Sequence, residues 1–174
     1  MEMKSTAFKT ERAWIEVNVE NLRHNVKTLQ KAMRPGCELM AVVKAQAYGH
    51  GAVLTAMHLN KMGVMAFAVA TIDEGIALRK AGICGEILIL GYTDVGRVSE
   101  LREYDLMQTL ISSEYAEALN AQGITVKAHI KIDTGMHRLG IPDEELSAVR
   151  KLFFILRRRL GTAGPTALTM SCSN

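Results

Sequence analysis

The strongest constraint on this chain is a repeated alternation. Short apolar runs at Leu39–Val43, Met65–Ala70, Glu86–Leu90, Leu106–Ile111 and Val126–Ile132 are each followed by a segment carrying helix signals. The runs have the length of strands. Leu39–Val43 has the β-branching of a buried strand, and in Val126–Ile132, V-K-A-H-I-K-I, the lysines and histidine alternate with apolar residues. Asn18 can cap a helix to about Met33, with Leu22, Val26 and Leu29 on one face and Pro35-Gly36 closing it. Ala52 to Met62 reads as a helix with Leu54 and Met57 as apolar positions. Thr71 and Glu74 form a T-x-x-E capping box for a helix to Lys80, stopped by Gly82. Asp94 begins a helix carrying Val95, Val98 and Leu101, and Ser113 caps one to Ala121. Pro142, followed by Asp143-Glu144-Glu145, announces a last helix to about Leu156, and Ala13–Val17 reads as an additional strand at the start. Strand–helix alternation with short connections predicts parallel strands in βα units. No GxGxxG follows the first strand, which argues against a dinucleotide fold.

Composition removes several function classes. With 174 residues, 48% hydrophobic and 22% charged, the chain reads as one globular domain with a sizeable core. A net charge of +3 is too slight to imply nucleic acid as a partner. No apolar run reaches transmembrane length, and the N-terminus lacks the apolar region of a signal peptide. The 3 cysteines form no CxxC and read as reduced thiols, which places the chain in the cytoplasm. The 5 histidines show no zinc-like spacing, and no metal is expected.

The chemistry concentrates in Met40–Gly51, M-A-V-V-K-A-Q-A-Y-G-H-G. A strand ends abruptly at Lys44, placing an amine at the mouth of the core. Partial burial lowers a lysine pKa, and the neutral amine forms Schiff bases with carbonyls. The plainer alternative is a lysine snorkelling at a strand end. Gly49 and Gly51 allow a tight turn and close approach to an anion, with helix N-terminal N–H groups behind them. Tyr48 adds a hydroxyl that can donate to a phosphate.

This stretch resembles the pyridoxal phosphate (PLP) lysine signature of bacterial alanine racemases and the related serine/alanine racemases, fold-type III PLP enzymes with a β/α-barrel domain. It departs at Gln46, where the family usually has Asn or Asp. A second stretch, Ile130–Gly140, I-K-I-D-T-G-M-H-R-L-G, resembles the family's K-x-D-T-G-M-x-R-x-G segment and follows the Val126–Ile132 strand. Two motifs in the right order are far more specific than either alone. The resemblance implies that Lys44 is the cofactor anchor and one catalytic base. It implies cofactor contacts for Tyr48 and Arg138, with Arg138 also near the substrate carboxylate. Lys131 matches a lysine often carbamylated in the family, which orients that arginine. An ion pair between Lys131 and Asp133 or another carboxylate is the alternative there, and a surface salt bridge is the alternative for Arg138. His50 reads as a turn-stabilising group, His129 as a strand residue satisfied within the barrel, and His137 receives no role. Asp73-Glu74 and Glu144-Glu145 read as first-turn carboxylates answering the helix dipole rather than as acid/base pairs.

The expected fold is therefore a partial (β/α)8 barrel of the TIM type, with chemistry at the C-terminal ends of the strands. The resemblance covers Arg12 to about Phe154. We expect a PLP-binding barrel portion over 12–156 and an irregular tail over 157–174, for which an out-of-frame origin is one explanation. Family members continue with more barrel strands and a separate β-domain, in which lies the tyrosine that is the second base. The chain is thus expected to be truncated before barrel closure. The expected function is amino-acid racemisation of alanine or serine, supplying D-alanine for cell-wall precursors, with little activity from this portion alone. Intact family members are homodimers. The competing expectations are a non-catalytic PLP-binding fragment and a PLP-homeostasis type of barrel.

Overall fold

In the computed structural model, residues 14–142, Ser147 and 168–171 are described. They form one parallel sheet with the order β1-β2-β3-β4-β5-β6, built from β1 (Met40–Val42), β2 (Ala66–Val69), β3 (Glu86–Ile89), β4 (Met107–Leu110), β5 (Lys127–Asp133) and β6 (Ile141–Pro142). The register is continuous: Val42 pairs with Ala68, Ala68 with Leu88, Leu88 with Met107, and Met107 with Lys127. Among the described residues β1 pairs only with β2, so the sheet stays open at that edge. This is the expected partial β/α barrel.

Alternation along the strands divides the side chains between two faces. Phe67, Val69, Ile87, Ile89, Leu110, Ala128, Ile130 and Ile132 join the larger cluster beneath the helices. Ala68, Leu88 and Met107 form a smaller cluster on the opposite face, with Met40 and Leu90 against it. Burial on both faces is why β2 and β3 read as apolar runs. Phe67, Ile87 and Ile89 are fully buried, and each contributes on the order of 1.5–3 kcal/mol by removal from water.

The helices are α1 (Val19–Ala32), α3 (Ala52–Lys61), α4 (Ile72–Lys80), α5 (Val98–Glu103) and α6 (Ser113–Ala121), with a 3-10 turn at Val95–Arg97. Asn18 caps α1 by accepting the Asn21 N–H at 2.9 Å. Only Val26 of its predicted stripe is buried, Leu22 is partly covered, and Leu29 is exposed. In α3 the buried positions are Ala52, Ala56 and Leu59, whereas Leu54 and Met57 face solvent. Ser112, not Ser113, caps α6: its Oγ accepts the Tyr115 N–H at 3.1 Å from an extended backbone. Asp94 caps the 3-10 turn through the Gly96 N–H at 2.8 Å.

Three sequence-based expectations meet a different structure. Residues 14–17 form no strand, and Trp14 and Ile15 are exposed. An extended segment needs a partner for its backbone groups, and residues 14–17 pair with no strand among the described residues. Pro142, expected to open a helix, ends β6 opposite Asp133. A strand end tolerates the missing N–H of proline. The helix expected from there to Leu156, with Glu144-Glu145, falls outside the described residues apart from Ser147, which is helical. Within the stretch read as irregular, β7 (Leu168–Ser171) runs parallel to β5, Leu168 opposite Ile130.

Candidate active site

All strand pairs are parallel, so everything that follows a strand lies at one end of the sheet. That rim carries Lys44 after β1, Ala70 and Thr71 after β2, Tyr92 and Thr93 after β3, and the Thr134–Gly140 loop after β5. Lys44 and Arg138 therefore share a rim. Three strands, β2, β3 and β4, lie between the strands that precede them.

The backbone after β1 is unusual. Val43 donates its N–H to Ala68 O at 2.9 Å and is buried, and Lys44 is half-buried. The one-turn segment α2 (Lys44–Tyr48) then runs left-handed, with φ of 50° at Ala45, 57° at Gln46, 52° at Ala47 and 54° at Tyr48. None of these residues is glycine, and left-handed backbone costs roughly 1–2 kcal/mol for each. Gly49 continues it at φ 94°, where glycine carries no such cost. The turn is closed by Gly51 N–H donating to Gln46 O at 2.7 Å and by a 2.9 Å bond from His50 Nδ1 to Ala47 O. His50 thus has the turn-stabilising place expected of it.

The turn throws Tyr48 outward, 65% exposed, and leads into α3. The start of α3 differs from those of α1, α4 and α6, because it has no side-chain cap in the usual N-cap position and no acid in its first turn. Its Ala52 N–H makes only a long 3.4 Å contact with Gln46 Oε1. Such a helix start, preceded by two glycines, suits an anion.

The residue that sequence reasoning undervalued here is Glu74. Thr71 Oγ1 accepts the Glu74 N–H at 3.3 Å, as a capping box requires. The reciprocal bond to Thr71 is replaced. Glu74 Oε2 accepts from Ala70 N at 2.7 Å, and Oε1 accepts from Ala45 N, also at 2.7 Å. Its neighbour Asp73 follows the ordinary reading of a first-turn carboxylate and pairs with Arg97 at 2.8 Å. That hydrogen bond holds the Asp73 carboxyl below its usual range.

Across the rim, Asp133 ends β5. Its Oδ1 accepts from Gly135 N at 3.1 Å and from His137 N at 3.0 Å. These two N–H groups hold the carboxyl below its usual pKa. Gly140 closes the loop against β5, where any Cβ would meet Asp133 N at 2.8 Å. Arg138 lies exposed in this loop. Lys131 and His129 alternate with Ile130 and Ile132, so they stand on the Leu88–Met107 face, the inside of the barrel. His129 is buried there, and burial pushes its pKa down, as expected for a strand residue. His137 is 85% exposed at the side chain, 3.5 Å from the Asp133 carboxylate.

Between these two groups, the Tyr115 hydroxyl donates to Thr93 O at 2.7 Å and accepts from Thr93 N at 3.2 Å. The rings of Tyr115 and the exposed Tyr92 lie 4.9 Å apart. Burial pushes the Tyr115 phenol up to about 12.

Among the described residues no helix is long and apolar enough to cross a membrane, and no cluster of His, Cys, Asp and Glu could hold a metal ion.

Comparison with known proteins places these elements. Residues 17–160 match the family "Alanine racemase, N-terminal domain". An amino-acid racemase of Enterococcus faecalis is 58% identical over 146 residues, covering 84% of this chain and 20% of that protein. A serine/alanine racemase of Enterococcus gallinarum is 48% identical over 130 residues, covering 75% and 19%. The solved alanine racemase of Clostridium difficile 630, in complex with cycloserine, superposes with a TM-score of 0.76 at 36% identity, covering 82% of this chain and 41% of that one. The chain therefore spans about a fifth of the first two proteins and about two fifths of the third.

Proposed function

Since the chain belongs to the alanine racemase family through its N-terminal domain, we propose that it provides the lysine-bearing part of an amino-acid racemase site that uses pyridoxal phosphate. The observation that carries this reading is the placement of Lys44. It is a half-buried lysine at the C-terminal end of a parallel strand, followed at once by a left-handed turn that delivers Tyr48 and an uncapped helix start.

The donor set fits the cofactor. Lys44 would hold it through its amine, Tyr48 and the α3 N-terminus would face its phosphate, and Arg138 would face its ring and the substrate carboxylate. A permanently charged planar guanidinium suits a carboxylate. When bound, the cofactor supplies an electron sink for the charge left on the α-carbon. The Lys44 amine takes the α-proton from one face of the substrate. Asp133 keeps the Arg138 loop folded onto β5. Lys131, on the inner face of β5, is the residue we assign to orienting Arg138 from within the barrel.

The substrate we propose is a small amino acid, alanine or serine, since both appear in the names of relatives. A proton must also return from the opposite face. The resemblance assigns that task to a tyrosine in the part of the relatives that this chain does not span. We place the chain in the cytoplasm, in line with the free thiols of Cys37 and Cys84.

The test is covalent. The chain is incubated with pyridoxal phosphate, reduced with borohydride, and the adduct is mapped. Saturable labelling of Lys44 is the expected result. Labelling spread evenly over the lysines, and unchanged by Lys44→Ala, would refute the assignment.

A further inference from the structure

The left-handed turn after Lys44 raises a physical question. Four consecutive non-glycine residues with φ between 50° and 57° do not persist unaided. Left-handed conformation is normally visited by single residues. The surroundings must therefore hold this segment in place. Its far end is held within the loop, by Gly51 N–H on Gln46 O and by His50 on Ala47 O. Its near end, at Ala45, is held from outside, by a carboxylate 29 residues further along the chain.

We infer that Glu74 is a positioning residue for Lys44: its carboxylate clamps the Ala45 N–H to the Ala70 N–H and so fixes where the β1 strand releases the lysine. The clamp is built from both oxygens of one carboxylate, each 2.7 Å from a backbone N–H on a different strand end. Charge-assisted bonds of this length are about twice as strong as neutral ones. The clamp's own base is fixed by the Thr71 cap at 3.3 Å and by the buried residues of α4, among them Ile72, Ile76 and Leu78. A residue serving only its own helix would return its carboxylate to the Thr71 N–H. Glu74 instead ties β1 to β2 at the rim, one residue beyond the lysine.

This inference rests on the proposed role of Lys44 for its functional half and on geometry alone for its structural half, so the two are tested separately. Glu74→Gln keeps the shape but replaces one acceptor oxygen with an amide that faces a donor. Glu74→Asp keeps the charge and shortens the reach. Asp73→Asn removes a charge from the same helix turn without touching the clamp.

Amide hydrogen exchange reads the structural half. In both Glu74 variants the Ala45 and Ala70 amides should exchange roughly tenfold faster or more, as expected for loss of a bond to a charged acceptor. The α4 amides should be unchanged, and Asp73→Asn should resemble the wild type. Undiminished protection at Ala45 and Ala70 in Glu74→Gln would overturn the inference, and the Asp variant gives the same reading if the Gln variant does not fold.

Pyridoxal phosphate labelling, mapped lysine by lysine, reads the functional half. Glu74→Gln should label Lys44 several-fold more slowly, while other lysines label as before. Lost amide protection with an unchanged Lys44 rate would also overturn the inference. If wild-type Lys44 is not labelled above the other lysines, the proposed function fails, and amide exchange alone decides whether Glu74 holds the turn.

Discussion

Asp133 Oδ1 accepts the backbone N–H of His137 at 3.0 Å, and this bond folds the loop that carries Arg138 back onto β5. The same oxygen accepts from Gly135 at 3.1 Å. A sequence motif that names Asp and Arg together thus has a physical basis: one side chain shapes the backbone that presents the other.

The pH dependence follows from that geometry. The Asp133 carboxyl is held below its ordinary 3.8 by the His137 and Gly135 N–H groups. A depressed folded-state pKa contributes stability above the unfolded value, and that contribution is lost as pH falls through the folded value. Asp133→Asn should therefore melt below the wild type at neutral pH. Thermal melts from pH 7 to pH values well under 3.8 should show the gap narrowing. A constant gap across the series would contradict the hydrogen-bonded carboxylate.

Tyr115 behaves in the opposite sense. Burial raises its phenol from 10.0 to about 12. A raised folded-state pKa gives stability that is full below the unfolded value and declines between the two values. The wild type should lose stability between pH 10.0 and about 12, and Tyr115→Phe should lack that slope. The variant also leaves the Thr93 N–H and C=O without their partner, which should cost about 1–3 kcal/mol at pH 7 by denaturant unfolding.

The alternation of strands and helices was legible because parallel strands buried on both faces leave a plain trace, as in E-I-L-I at β3. Both motif stretches were legible by resemblance, and the structure sets them on one rim. The left-handed turn was not. Ala45, Gln46, Ala47 and Tyr48 carry no local signal for positive φ, and two of them are alanines, the best helix formers. Glu74 was read as a local cap because its pattern is a capping box, and no local pattern reports a partner 29 residues away. The buried face of α3 departs from its sequence pattern for a similar reason. Leu54 and Met57 are its larger apolar residues, but the helix packs through Ala52, Ala56 and Leu59.

That last point is measurable. Leu59→Ala should cost about 2–5 kcal/mol, the range for a buried leucine. Leu54→Ala, at 53% exposure, should fall within about 0.5 kcal/mol of the wild type. Equal costs in denaturant unfolding would mean that α3 presents a different face to the sheet.

The central claim is that Lys44 acts as a base on one face of an amino acid. The direct measurement is α-proton exchange in deuterium oxide, with the chain, pyridoxal phosphate and L-alanine or L-serine, followed by proton NMR and chiral analysis. The expected result is loss of the substrate's α-proton signal at a rate well above that of a Lys44→Arg variant. Exchange at the same rate in the Lys44→Arg variant would contradict the assignment of Lys44 as the base.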